Sequence, residues 1–208
     1  MSASGLRDLV DNRAMIVPLD LDQYHRMIAT GILPEGAPIE LLDGYLVRKD
    51  RSKAGADPMT VGHHHAWAIG QLGEFQSQIA KHGCNLRLQQ PVAIPPDSEP
   101  EPDAAIVAGT NDRYRHGHPG PADLICIIEV ADSSLQHDRT TKLRIYADAA
   151  LPQYIIINLV DATIEEYRQP LPGTGRYELT RTLTKTQSIS FTLADATQLD
   201  IPVARLLP

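Results

Sequence analysis

Hydrophobic and polar positions along the chain change period several times, and each change marks an element. Leu21, Tyr24, Met27 and Ile28 recur at helical spacing behind Asp20 or Asp22 as a cap, and Gly31 ends the run. "IELLDGYLVRKD" reads as a strand entered through a turn. Over residues 63–82 the apolar positions Ile69, Leu72, Phe75 or Gln76, and Ile79 lie down one side of a second helix, with Gly83 just past its end. Residues 84–94 are extended in pattern, whereas the prolines of "PPDSEPEPD" block both helix and ladder.

A short strand "DAAIV" follows, then the loop "AGTNDRYRHGHPGPA" and the run "DLICIIEVA". That continuous apolar run fits a central strand covered on both faces. A third helix over residues 138–150 places Leu143, Tyr146, Ala147 and Ala150 on one stripe. "QYIIINLV" and "TIEEYR" are strands joined by a tight turn at Asp161-Ala162, and "RYELTRTL" and "SISFTL" are weaker β-like segments. The sum is a mixed α/β (α+β) chain with a sheet in the middle, helices packed on it and a β-rich C-terminal portion. Its length of 208 residues suits a single domain, with a core over about 20–170 and a β-rich extension over about 171–208.

Composition narrows the setting. Cys84 and Cys126 lie in apolar β-like segments without a CxxC pair, which points to buried free thiols and a cytoplasmic location. The N-terminal stretch has no signal-like apolar core, and no run of eighteen apolar residues predicts a membrane span. A net charge of −7 means that any contact with a polyanion such as DNA must be local or metal-assisted.

Glu129 stands inside "LICIIEVADSS", where an unpaired charge is costly, so it needs a partner or a task. If "DAAIV" and "DLICIIEVA" pair as a long hairpin, Asp103 at the start of the first meets Glu129 near the end of the second. Two adjacent carboxylates call for a cation, and hard oxygen ligands suit Mg²⁺ or Mn²⁺. Lys142, one turn into the following helix with Asp138 near its start, would neutralise charge on an attacked phosphate. Taken singly, each residue has a plainer reading: Asp103 as a turn residue, Glu129 as a strand-end acid reaching water, Asp138 and Lys142 as a solvent-facing pair four apart.

Other polar features carry weaker chemistry. The "HHH" at 63–65 invites zinc, but consecutive helical histidines point in different directions. Asp97, Glu99, Glu101 and Asp103 alternate with Ser98, Pro100 and Pro102, which fits a solvated, extended loop with Asp103 singled out. Arg113 and Arg115, with His116 and His118, form the best local basic patch for phosphate contact, with a mobile surface loop as the plainer alternative.

"PEPDAAIV" followed by "IIEVADSSLQHDRTTKLRIYADAALPQYIIINL" resembles the Uma-type family of restriction endonucleases, a branch of the PD-(D/E)xK nuclease superfamily. "IELLDGYLV" is similar to that family's entry segment and "HHHAWAIGQL" to its His-led helix. The resemblance implies a restriction-endonuclease-like core, with Asp103 and Glu129 binding the metal, Lys142 as the superfamily lysine displaced onto the helix, Glu40 as an accessory acid and His65 at the head of its helix. Gln153, Ile155 and Asn158 depart from the family's Glu, Trp and Asp. Three functions follow: a Mg²⁺-dependent endonuclease acting on DNA, most simply as a homodimer; a non-catalytic nucleic-acid-binding or assembly module on the same scaffold; or a hydrolase of smaller phosphate esters.

Overall fold

The computed structural model describes residues 17–49 and 62–208, so most of the N-terminal stretch considered above lies outside them. Helix α1 spans Leu21–Ala29, and Asp20 and Gln23 cap its start reciprocally, side chain to backbone in both directions. Next comes a hairpin rather than one strand: β1 (Ile39–Leu42) pairs antiparallel with β2 (Tyr45–Arg48). Asp43 and Gly44 both take positive φ, 51° and 77°, as a two-residue hairpin turn demands.

The expected helix over 63–82 divides into α2 (His63–Gly73) and α3 (Gln76–Ala80). Glu74 N–H bonds to Gln71 and Phe75 N–H to Leu72, so the chain tightens to three-residue turns there and delivers Phe75 into the core. Strands β3 (Cys84–Leu88), β4 (Ala104–Ala108) and β5 (Leu124–Ala131) follow. A helical crossover then runs through α4 (Leu135–His137), a π turn over Asp138–Lys142 and α5 (Leu143–Asp148). Ala150 lies beyond its end at φ 58°, so the buried stripe is Lys142, Ile145, Tyr146 and Ala147 instead of one ending on Ala150.

Strands β6 (Gln153–Asn158), β7 (Thr163–Leu171) and β8 (Arg176–Leu183) complete a six-stranded sheet in the order β3-β4-β5-β6-β7-β8. Every neighbouring pair is antiparallel except β5–β6, which the helical crossover makes parallel. A last hairpin, β9 (Ser188–Thr192) with β10 (Gln198–Pro202), packs on the sheet; β10 was not apparent from its pattern. The architecture is thus mixed α+β with a central mixed sheet.

Alternation along β5 sets the functional geometry. Cys126, Ile128 and Val130 join the apolar cluster under α2, α3 and the β9–β10 hairpin, while Ile127 and Ala131 join the cluster under α5. Glu129 falls between Ile127 and Ala131 and so faces α5. On β4, Ala105 and Val107 belong to that same face. Asp103, two residues before Ala105, therefore shares it. The Pro-rich segment is not a solvated loop: Ser98, Glu99, Pro100 and Pro102 are buried. Its backbone pairs with the hairpin, Glu99 N–H to Leu41 and Gly44 N–H to Asp97, both at 2.7 Å.

Candidate active site

Asp103 and Glu129 are brought together by register. Ala104 pairs with Ile128, so the next positions outward are Asp103 and Glu129, and Val130 N–H reaches Asp103 Oδ2 at 2.8 Å. From α2, His65 Nε2 meets that same Oδ2 at 3.1 Å, whereas His63 and His64 are exposed. Only the third histidine of the triplet turns toward the acids, as directions around a helix require.

The crossover supplies the counter-charge. Lys142 Nζ lies 2.9 Å from Glu129 Oε1 and 3.6 Å from Glu40 Oε1. Both Lys142 and Asp138 are buried, so they are not a solvent-facing pair. They sit in a π turn, a local widening of a helix that recurs at functional sites. Asp138 Oδ2 accepts from Ser134 Oγ at 2.6 Å. Glu40 arrives on the β1–β2 hairpin, fixed by Glu101 N–H at 3.0 Å, and Lys49 bridges Glu101 at 2.8 Å.

A cleft of about 360 Å³ opens over this group. Its lining carries six acids (Glu40, Glu101, Asp103, Glu129, Asp132 and Asp138) against Arg48, Lys49 and Lys142. The acids respond to this setting in opposite ways. Burial pushes the Glu129 carboxyl well up, and Asp138, Asp103 and Glu40 add to the push against Lys142. Asp138 is likewise raised by burial. Burial also works against the Asp103 anion, but His65, Val130 N–H and Lys142 outweigh it and hold Asp103 below the ordinary value. For Lys142, burial is overcome by Glu129, Glu40 and Asp138, so the ammonium keeps its proton.

The donor set fits a hard divalent cation. Among the described residues, the hydrogen bonds to Asp103 and Glu129 fall on Oδ2 and Oε1. Among the described residues no three His, Cys, Asp or Glu side chains converge as a ready-made cage. A site of two carboxylates completed by water and phosphate is the arrangement Mg²⁺ adopts most readily. Asp103 and Glu129 would hold the ion, with Glu40 close by as the accessory acid.

Arg113 and Arg115 are not brought to this group. They follow β4 at the end opposite Asp103, where Arg113 pairs with Asp123 at 2.6 Å and Arg115 with Asp112 at 3.0 Å. Sequence reasoning missed Tyr146, whose hydroxyl donates to Glu129 Oε1 at 2.9 Å, and also Lys49, Glu101 and Ser134. The four-residue step from Lys142 to Tyr146 was the signal for the first. The alternating acids signalled Glu101, although Glu99 leaves the row to meet His25 at 2.8 Å.

The family model Uma2, described as "Putative restriction endonuclease", matches residues 21–204. The chain belongs to the Uma2 family. Its fold is similar to a crystal structure described as "a putative nuclease belonging to DUF820" from Anabaena variabilis ATCC 29413, with a TM-score of 0.62. The two share 17% identity over 91% of this chain and 97% of that one. No curated protein matches the chain. For this Uma2 chain, no helix among the described residues is long and apolar enough to cross a membrane.

Proposed function

We propose that the cleft is the active centre of a Mg²⁺- or Mn²⁺-dependent endonuclease that hydrolyses DNA phosphodiester bonds, most simply as a homodimer that cuts both strands. Membership of the Uma2 family supports the nuclease reading. The observation that carries the metal-dependent chemistry is the pairing of Asp103 and Glu129 across β4 and β5, each with one oxygen held by the described residues, beside a buried lysine. A bound divalent ion supplies the positive charge that makes water an effective nucleophile toward phosphorus near neutral pH.

The chain's own residues do the rest. Asp103, kept anionic by His65 and Val130 N–H, offers a fixed ligand oxygen. Lys142, buried and held protonated, would offer an ammonium to the charge that builds on the phosphate. Lys49 and Arg48 on the cleft rim offer contacts to flanking phosphates.

Purified protein incubated with plasmid and Mn²⁺ tests the reading, with Asp103→Asn and Glu129→Gln as near-isosteric variants. Nicking and linearisation by the wild type, lost at least about a hundredfold in both variants, is the expected result. Cleavage that survives unchanged in both refutes the assignment. A second reading, a non-catalytic binding or assembly module that keeps the nuclease scaffold, is favoured by the net charge of −7, which works against DNA, and by the pairing of Glu129 with Lys142. It predicts no cleavage and no divalent-ion binding in calorimetry.

A further inference from the structure

Glu129 Oε1 is held twice. Lys142 Nζ and the Tyr146 hydroxyl each donate to it at 2.9 Å, from positions four apart on the crossover. Asp103 Oδ2 is held twice as well, by His65 and Val130 N–H. Tyr146 is wholly buried, and its ring packs against Tyr154 with centroids 4.9 Å apart, so the phenol has little freedom to turn. Its hydroxyl is neutral and short of reach, whereas Lys142 is a flexible cation that any entering phosphate will attract.

We propose that Tyr146 is the positioning residue for Glu129: it fixes Oε1 so that Oε2 stays available to a divalent ion, and it keeps doing so when Lys142 turns toward a phosphate. This inference rests on the metal-site reading above. Groups that orient a metal ligand through one hydrogen bond change metal affinity by about ten- to a hundredfold when removed. Tyr154 provides the internal comparison, because its hydroxyl is also buried but donates to the Asp138 backbone carbonyl at 3.1 Å and not to a carboxylate.

Mn²⁺ affinity of the full chain, measured by electron paramagnetic resonance without DNA, is compared among wild type, Tyr146→Phe and Tyr154→Phe, with thermal unfolding recorded for each. About tenfold weaker Mn²⁺ binding in Tyr146→Phe, with Tyr154→Phe within about twofold of wild type, supports the assignment. Equal affinity in Tyr146→Phe and wild type overturns it while leaving the metal site standing. Equal weakening in both variants overturns it too, since it reduces Tyr146 to a packing role. A wild type that binds no Mn²⁺ overturns both readings together.

Discussion

Replacing Lys142 by Met keeps most of the side-chain volume and removes the ammonium from among four acids. Its Nζ lies 2.9 Å from Glu129 and 3.6 Å from Glu40. With an effective dielectric near 20, these separations correspond to gross attractions of about 6 and about 5 kcal/mol. The desolvation cost of burying the ammonium offsets much of that sum. The net loss expected on stranding a buried partner is about 3–5 kcal/mol, and at about 2–4 °C per kcal/mol for a chain of this size the midpoint should fall by roughly 6–20 °C at pH 8. The loss comes from ionised carboxylates left without a counter-charge, so its pH dependence has a definite sign. Glu129 is already raised by burial, and without Lys142 its folded-state value rises further above the unfolded one of about 4.3. Such a group destabilises the fold when the pH is above its folded value, and the penalty fades as the pH falls through that value. Melting curves followed by circular dichroism from pH 8 to pH 5 should therefore show the variant converging on the wild type. A deficit that is constant across that range, or that widens on acidification, refutes the electrostatic account. Adding Glu129→Gln should recover more than half of the loss at pH 8.

Asp103 has the opposite sign: its folded value is depressed, so its contribution is present above the unfolded value of about 3.9 and is lost as the pH falls through the folded one. Asp103→Asn should flatten the acid limb of the stability profile below about pH 4, and an acid limb of unchanged slope contradicts the assigned shift. Arg87 is buried, and among the described residues its Nε has no hydrogen-bond partner and no acid pairs with it; the Tyr114 ring lies 5.6 Å from its guanidinium. Arg87→Met should be between neutral and about 1 kcal/mol more stable in denaturant titration, and a loss above about 2 kcal/mol would mean the guanidinium is used. Gly44→Ala would put a Cβ 2.3 Å from Pro18 Cβ and 2.9 Å from Leu19 O at a φ of 77°. It should cost more than about 1 kcal/mol, and an unchanged midpoint would show that the hairpin does not lock onto the segment before α1.

What could be read from the chain divides by the range of the interaction involved. The antiparallel meeting of Asp103 with Glu129 followed from two adjacent segments and one loop, and the register Ala104 to Ile128 is what that pairing requires. Period-two alternation explains why Glu129 faces the helix, because Ile127 and Ala131 face it as well. The Asp43-Gly44 dipeptide is a strong hairpin signal, but the short strands on either side blend into one apolar stretch that masks it. Burial of the Pro-rich segment was not legible, because Leu41 and Gly44, more than fifty residues away, supply its backbone partners. Glu40 came from family resemblance alone; nothing local in "IELLDG" tells that its acid will lie 3.6 Å from a lysine a hundred residues later.

The residues that local pattern did not reveal are those that complete the electrostatics. Asp103 and Glu129 are neighbours of the same chemical type, yet one is held below its ordinary value and the other well above it. Divergence of this kind is common where charge is arranged for a task, and it supports the proposed active centre. Lys142 alone cannot balance Glu40, Asp103, Glu129 and Asp138, and folding has nonetheless placed all four around it. A chain that keeps such an acidic excess, on one face of its sheet and under an open cleft, bears a stability cost that further positive charge in the cleft would remove. The proposed divalent ion would supply it, so Mn²⁺ should raise the wild-type midpoint and should do so less in Asp103→Asn.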